Sequence, residues 1–221
     1  MSQLDIARSE SQIVATNKVL KNTYTLLSAT LFFSALMAGV GVLLALPPMT
    51  HLFTVIVAMV LGIFVLPKTA NTSKGLVVLF AITGLMGLGL GGILNAYLGL
   101  PNGHQIIGTA FAGTAIIFLS MSGYALMTRK DFSFLGGFLM VGMIVVLLAA
   151  VANIFLGMPA FSLAISGAII LIMSGFILFD TSRMIHDPQA NYIMMTFGLY
   201  LSIFNIFIAL LQILGVMSGD D

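Results

Sequence analysis

Residues Phe161 to Pro188 read "FSLAISGAIILIMSGFILFDTSRMIHDP". The part from Phe161 to Phe176 carries no charge, and the stretch then places Asp180, Arg183 and Asp187 close together. About 20 mostly apolar residues suffice for an α-helix to cross the hydrocarbon core of a bilayer. The stretch therefore predicts a membrane-spanning helix with an acidic residue near its end.

The composition of the whole chain agrees with a membrane protein. Of its 221 residues, 60% are hydrophobic and 7% are charged, whereas a soluble domain carries about 25% charged residues. We therefore expect an all-α polytopic membrane protein. The net charge of +1 without a basic stripe argues against a nucleic-acid partner. The chain has no cysteine, which excludes disulfides and thiolate chemistry.

Uncharged runs between polar breaks predict seven membrane-spanning helices. We expect a cytoplasmic tail over residues 1–22, a seven-helix domain over 23–217 and a short acidic tail over 218–221. The predicted spans are about 23–46, 51–67, 75–99, 105–127, 132–157, 161–180 and 192–217.

The placement of basic residues tests this count. With seven spans, every Lys and Arg falls on one side, and the other side receives His51, His104 and the terminal Asp220 and Asp221. Cytoplasmic loops of membrane proteins are enriched in Lys and Arg. We therefore expect a cytoplasmic N-terminus and a C-terminus outside, in the periplasm. The basic residues are Arg8, Lys18, Lys21, Lys68, Lys74, Arg129, Lys130 and Arg183.

Small residues predict where helices pack closely in lipid. The third span contains Gly87 and Gly91 in a G-x-x-x-G arrangement, which lets helix backbones approach. In the last span a stripe of small and polar residues recurs at helical spacing, and the opposite side is predicted to face lipid or larger hydrophobic neighbours. The stripe is Gly198, Ser202, Asn205, Ala209 and Gln212, and the opposite side is Tyr200, Leu201, Phe204, Ile208 and Leu211.

Asp180 is the one acidic residue predicted to touch the hydrocarbon. An ionised carboxylate there is costly, so we expect it to be paired, hydrated or protonated, as in an ion or proton site. Ser166 lies near the same face of the sixth span, and Ser202 and Asn205 are candidate neighbours from the last span. With so few oxygens the site offers at most weak, partly hydrated calcium binding.

Two other roles for Asp180 stay open at this point. The residue can end the helix, or it can pair with Arg183 in the interface.

Enzyme signatures are absent from the sequence. An intramembrane aspartyl protease needs two carboxylates at depth, and only Asp180 is predicted there. We find neither an H-E-x-x-H nor a G-x-S-x-G motif. We therefore expect a protein that is not an enzyme and needs no cofactor, calcium apart.

Two segments carry a family resemblance. "GFILFDTSRMI" from Gly175 to Ile185 and "LYLSIFNIFIALLQILG" from Leu199 to Gly215 resemble the last two helices of the Bax inhibitor-1 family, the transmembrane Bax inhibitor motif proteins. Segments from the first span, from Thr128 to Gly137 and from Val151 to Ser166 are similar to its bacterial, YccA-like branch. The resemblance covers nearly the whole chain and implies a seven-helix bundle in a bacterial inner membrane.

The resemblance implies two functions. The bacterial branch implies a modulator of FtsH, a membrane-anchored AAA+ protease that grips the N-terminal tail. The wider family implies a pH-sensitive calcium leak or calcium/proton exchange that rests on two aspartates. Asp180 matches the first aspartate, but Ser202 stands where the second is expected, and a basic residue usual near Gln212 is absent. The first reading is therefore protease modulation, and the alternative is an ion leak centred on Asp180.

Overall fold

The computed structural model describes residues 3–218, and side chains from residue 16 onward. The acidic residues Asp220 and Asp221 and the side chains of Asp5, Arg8 and Glu10 lie outside the described part. Within it the chain is helical throughout, apart from short turns. The helices are α1 (Gln3–Leu43), α2 (Met49–Val60), a π-helical segment (Leu61–Val65), α3 (Leu66–Thr69), α4 (Ser73–Leu98), α5 (Gly103–Thr128), α6 (Leu135–Leu156), α7 (Pro159–His186) and α8 (Tyr192–Ser218).

Seven helices of the described chain are long and apolar enough to cross a membrane, which confirms the predicted number of spans. The second span, Met49–Thr69, combines α2, the π-helical segment and α3. Two boundaries differ from the prediction. Helix α1 begins at Gln3, so the segment predicted as a tail continues into the first span, which starts at Thr16. Helix α7 runs to His186 instead of ending at residue 180.

The π-helical segment in the second span has a local cause in the sequence. Pro67 has no N–H to donate to the carbonyl four residues earlier, and its ring crowds that carbonyl. Just before the proline the helix takes a wider, π-helical turn, in which the Leu66 N–H donates to the carbonyl of Leu61, five residues earlier. The span thus passes the proline without breaking.

The described chain divides into two compact units. The first unit comprises the chain up to Ala96 together with Arg183–Tyr200, and the second comprises Tyr97–Ser182 together with the chain from Leu201 onward.

Helix α4 is the most buried of the seven spans of the described chain. Over half of its most apolar window is buried. Its glycines lie where another backbone passes close by. A Cβ added at Gly91 would come within 2.6 Å of the carbonyl oxygen of Ala38 and of Gly41 Cα in α1. Only glycine fits such a close backbone approach.

In the second unit, helix α6 exposes most of its apolar side chains, such as Phe138, Ile154 and Phe155. In lipid this is the expected exterior, because no water surrounds these groups. The helix ends at Gly157, whose φ of 61° is left-handed and whose N–H donates to the carbonyl of Asn153 at 2.8 Å.

Helix α8 is enclosed along nearly its whole length. No residue from Tyr192 to Gly215 is exposed. On the side of α8 opposite the small and polar stripe, Tyr200, Phe204 and Leu211 are buried, and Leu201 and Ile208 are half-buried.

Candidate functional site

Asp180 lies in a short run of buried polar residues inside α7. Its side chain is 8% exposed, and the next two residues, Thr181 and Ser182, are fully buried. Because α7 continues for six residues beyond it, Asp180 does not end the helix. That alternative is wrong, whereas pairing with Arg183 stays a prediction.

Ser182 connects α7 to the turn before α6. Its hydroxyl accepts a hydrogen bond from the backbone N–H of Phe132 at 2.9 Å and donates one to the carbonyl of Lys130 at 3.2 Å. The polar residues at this end of α7 therefore include at least one that holds a connecting segment in place.

Ser166 belongs to a different polar cluster. It is buried, and its hydroxyl donates a 2.8 Å hydrogen bond to Oε1 of Gln212 in α8. The amide nitrogen of Gln212 donates to the hydroxyl of Ser162, one turn earlier in α7. Gln212, predicted as a packing residue, is thus the centre of a three-residue polar junction.

This junction is far from Asp180. Ser166 and Asp180 are fourteen residues apart in one continuous helix, which is about 21 Å along the helix axis. Calcium ligands lie within about 2.6 Å of the ion. Ser166 and Asp180 therefore cannot bind the same ion, although they share a face of α7.

Ser202 and Asn205 lie between these two levels. Ser202 is buried, and Asn205 is half-buried and donates to the carbonyl of Leu201 in its own helix at 2.8 Å. Helix α8 runs antiparallel to α7 where Gln212 meets the two serines. Counting residues from that junction places Ser202 roughly 6–12 Å, and Asn205 roughly 10–16 Å, from the level of Asp180. By this count the four predicted site residues lie at different levels along the helix axes, and the level of Ser202 is the nearest to that of Asp180.

Two of the predicted packing residues, Gly87 and Gly91, lie where a larger side chain would collide with α1. Gly87 and Gly91 are buried, and a Cβ at Gly87 would collide with the carbonyl of Ser34. Ala209 is buried, and Gly198 is half-buried.

Tyr200 is a buried polar residue that the sequence pattern missed. Its side chain is fully buried, and its hydroxyl lies 2.7 Å from the hydroxyl of Ser34 and donates to the carbonyl of Thr83 at 3.3 Å. One sequence signal was available: a buried tyrosine usually has a hydrogen-bond partner for its hydroxyl.

Metal ligands are few in the described residues. Among the described side chains, residues 16–218, no group of three or more His, Cys, Asp or Glu is placed to hold a metal ion. A calcium ion at Asp180 would therefore need hydroxyl, carbonyl and water oxygens.

The polar clusters and the helix order can be compared with known proteins. A family model described as "Inhibitor of apoptosis-promoting Bax1" matches residues 16–219. This chain belongs to the Bax inhibitor-1 family. The match spans all seven helices, so membership extends over both units.

Curated relatives of the family match the chain over nearly its full length. "Modulator of FtsH protease YccA" of Escherichia coli strain K12 is 50% identical over 214 residues, which cover 97% of each chain. An uncharacterized membrane protein of Vibrio cholerae is 46% identical and covers 96% of each chain. "Inner membrane protein YccA" of Escherichia coli O6:H1 is also 50% identical. The Bax inhibitor-1 member described here is a multi-pass protein of the inner membrane.

Proposed function

We propose that this protein binds and modulates a membrane-anchored AAA+ protease of the FtsH kind, as part of membrane-protein quality control. The observation that carries the proposal is the 50% identity to the Escherichia coli modulator of FtsH protease over 97% of both chains. At that coverage the alignment takes in nearly all of this chain, including its spans and the segments that connect them. We infer that the protein is a modulator and not an enzyme.

The proposal needs the N-terminus on the side where the protease domain works. Of the basic residues with described side chains, Lys18 and Lys21 lie near the start of the first span, and Lys74 lies at the start of the third. The others lie at the ends of even-numbered spans or in the turn that follows one of them. Because cytoplasmic segments are rich in Lys and Arg, this distribution supports a cytoplasmic N-terminus and a periplasmic C-terminus.

The N-terminal segment is the part that we expect the protease to grip. Helix α1 begins at Gln3, but its membrane span starts at Thr16, so residues 3–15 extend beyond the span. A grip on this segment pulls directly on the first span. A helix bundle that the protease extracts only slowly would then occupy the protease and restrain its action on other membrane proteins.

The calcium alternative is supported less by the geometry. Asp180 is buried, but Ser166 is about 21 Å away along α7. Ser202, at the position expected for a second aspartate, has no carboxylate. A leak centred on Asp180 would therefore depend on one carboxylate and on hydroxyl and carbonyl oxygens.

A binding experiment with shortened chains tests the proposal. FtsH with an inactivated protease site is used to co-purify the wild type, a variant without residues 2–12, and a variant in which residues 2–12 are permuted. The deletion stops before Thr16, where the span begins. The wild type and the permuted variant should co-purify, since the proposal requires an accessible segment and no motif. Equal co-purification of the shortened chain would overturn the tail-based mechanism.

A further inference from the structure

Hydrogen bonds join the described part of α1 to other helices of the first unit at the levels of Thr23, Ser34 and Val42. The bonds at the Thr23 and Val42 levels are weak. Thr196 donates to α1 at 3.3 Å but also donates to the carbonyl of Tyr192 in its own helix at 2.7 Å, so it loses little on separation. The Asn95 bond is also 3.3 Å long and is only partly buried. The three levels are Thr196 to the carbonyl of Thr23, Tyr200 to Ser34, and Asn95 to the carbonyl of Val42.

The middle level is a joint of three helices. The Tyr200 hydroxyl of α8 lies 2.7 Å from the hydroxyl of Ser34 in α1 and donates to the carbonyl of Thr83 in α4 at 3.3 Å. Either hydroxyl can donate in the shorter bond, and the Tyr200 oxygen takes part in both contacts, so its removal breaks both. Tyr200 and Thr83 are fully buried, and Ser34 is nearly so.

Gly87 makes this joint possible. A Cβ at position 87 would collide with the carbonyl of Ser34 and would come 2.8 Å from its hydroxyl oxygen. The absence of a side chain at Gly87 therefore lets α1 approach α4 closely enough for Ser34 to reach Tyr200. The glycine contact and the hydrogen bonds reinforce each other at one level of the membrane.

We propose that the joint of Tyr200, Ser34 and Thr83 is the lock that sets how fast a protease pulling on the N-terminus extracts the chain. This inference rests on the proposed function, because it assumes a grip on the N-terminal segment. A pull on that segment acts first on α1, and α1 cannot leave the first unit without breaking the joint. In hydrocarbon no water replaces the broken bonds, so the joint is the costliest of the three levels to open.

Degradation kinetics with a matched pair of variants test the lock. Tyr200→Phe removes the hydroxyl and keeps the ring, and Tyr192→Phe does the same in the same helix, at a half-buried residue away from the joint. With purified, active FtsH in proteoliposomes, Tyr200→Phe should shorten the half-life of the chain about three- to tenfold, the rate equivalent of about one net hydrogen bond. Tyr192→Phe should leave it unchanged.

A second substitution checks that one joint is responsible. Ser34→Ala should shorten the half-life by a similar factor, and Ser34→Ala combined with Tyr200→Phe should shorten it little further, because both remove the same bond. Ser28→Ala is the control in α1, since the Ser28 hydroxyl donates to the carbonyl of Tyr24 in its own helix at 2.9 Å. An unchanged half-life for Tyr200→Phe, while FtsH still degrades the wild type, overturns the lock.

A measurement without the protease separates the two proposals. In single-molecule pulling from the N-terminus, the first rupture of Tyr200→Phe should occur at a lower force than that of the wild type and of Tyr192→Phe. If FtsH does not degrade the wild type at all, the slow-substrate mechanism of the proposed function fails, and the rupture force still decides on the lock. Equal forces in all three proteins would contradict it.

Discussion

The hydroxyl of Ser166 donates a 2.8 Å hydrogen bond to Oε1 of Gln212, which lies 46 positions further along the chain. The nitrogen of the same amide donates to the hydroxyl of Ser162. One glutamine thus spans two successive turns of α7 and uses both ends of its amide. In a membrane, where hydrophobic association does not hold helices together, such a junction fixes the register of two helices.

Replacing Gln212 should weaken the second unit. We expect Gln212→Leu to lower the free energy of unfolding by about 1–2 kcal/mol, because the buried Ser166 loses its acceptor. Gln105→Leu is the control, since Gln105 is exposed in the first turn of α5. Unfolding in mixed micelles with increasing SDS measures both variants. Equal midpoints for the two variants would contradict the assigned role.

Glycine-to-alanine substitutions should lower or raise the stability of the protein according to the space that each site leaves for a Cβ atom. At Gly91 the added Cβ would meet backbone atoms of α1 at 2.6 Å, so we expect Gly91→Ala to destabilise the protein by about 1–3 kcal/mol. At Gly39 the added Cβ would have no atom within 4 Å, so Gly39→Ala should be neutral or stabilise it by up to about 1 kcal/mol. The same unfolding assay compares them, and a larger loss at Gly39 would refute the close α1–α4 contact.

The number of helices was predictable from the sequence, but their ends were less so. Charged residues were read as the end of the sixth span at Asp180, yet α7 continues through Arg183 to His186. Hydropathy reports where polar residues begin, whereas a helix is maintained by backbone hydrogen bonds. Because Asp180, Thr181 and Ser182 are buried, the helix here continues with polar residues inside the protein.

The candidate site was only partly predictable for a related reason. Helical spacing places Ser166 and Asp180 on one face of α7, about 21 Å apart along the axis. It does not show that the partner of Ser166 is Gln212 of α8. The importance of Tyr200 was hidden because α8 is apolar on most sides, and periodicity does not distinguish a lipid-facing side from an enclosed one. The partner of Tyr200, Ser34, is 166 positions away in the chain.

The proposed orientation predicts which turns are reached from each side of the membrane. Because the chain has no cysteine, single cysteines at two exposed residues, Asn102→Cys and Thr72→Cys, can be labelled without background. In intact spheroplasts an impermeant maleimide should label position 102 and leave position 72 unlabelled until the membrane is opened. Labelling with the opposite preference would reverse the orientation and remove the cytoplasmic N-terminus that the proposed function needs.

The two functional readings differ in what they predict for calcium. If protease modulation is the function, proteoliposomes with the wild type and with Asp180→Asn should show no more calcium flux than empty liposomes at pH 6 and at pH 8. A flux in the wild type that changes with pH and is lost in Asp180→Asn would show that one buried carboxylate with hydroxyl neighbours suffices. That result would favour the leak.

The most direct test of the central claim measures the action of the protease on a second protein. FtsH and a membrane substrate are reconstituted with increasing amounts of this chain, and the degradation rate of the substrate is followed. We predict that the rate falls as the wild type is added and stays constant when the variant without residues 2–12 is added. A rate that is unaffected by an equimolar amount of the wild type would contradict the proposal that this protein modulates the protease.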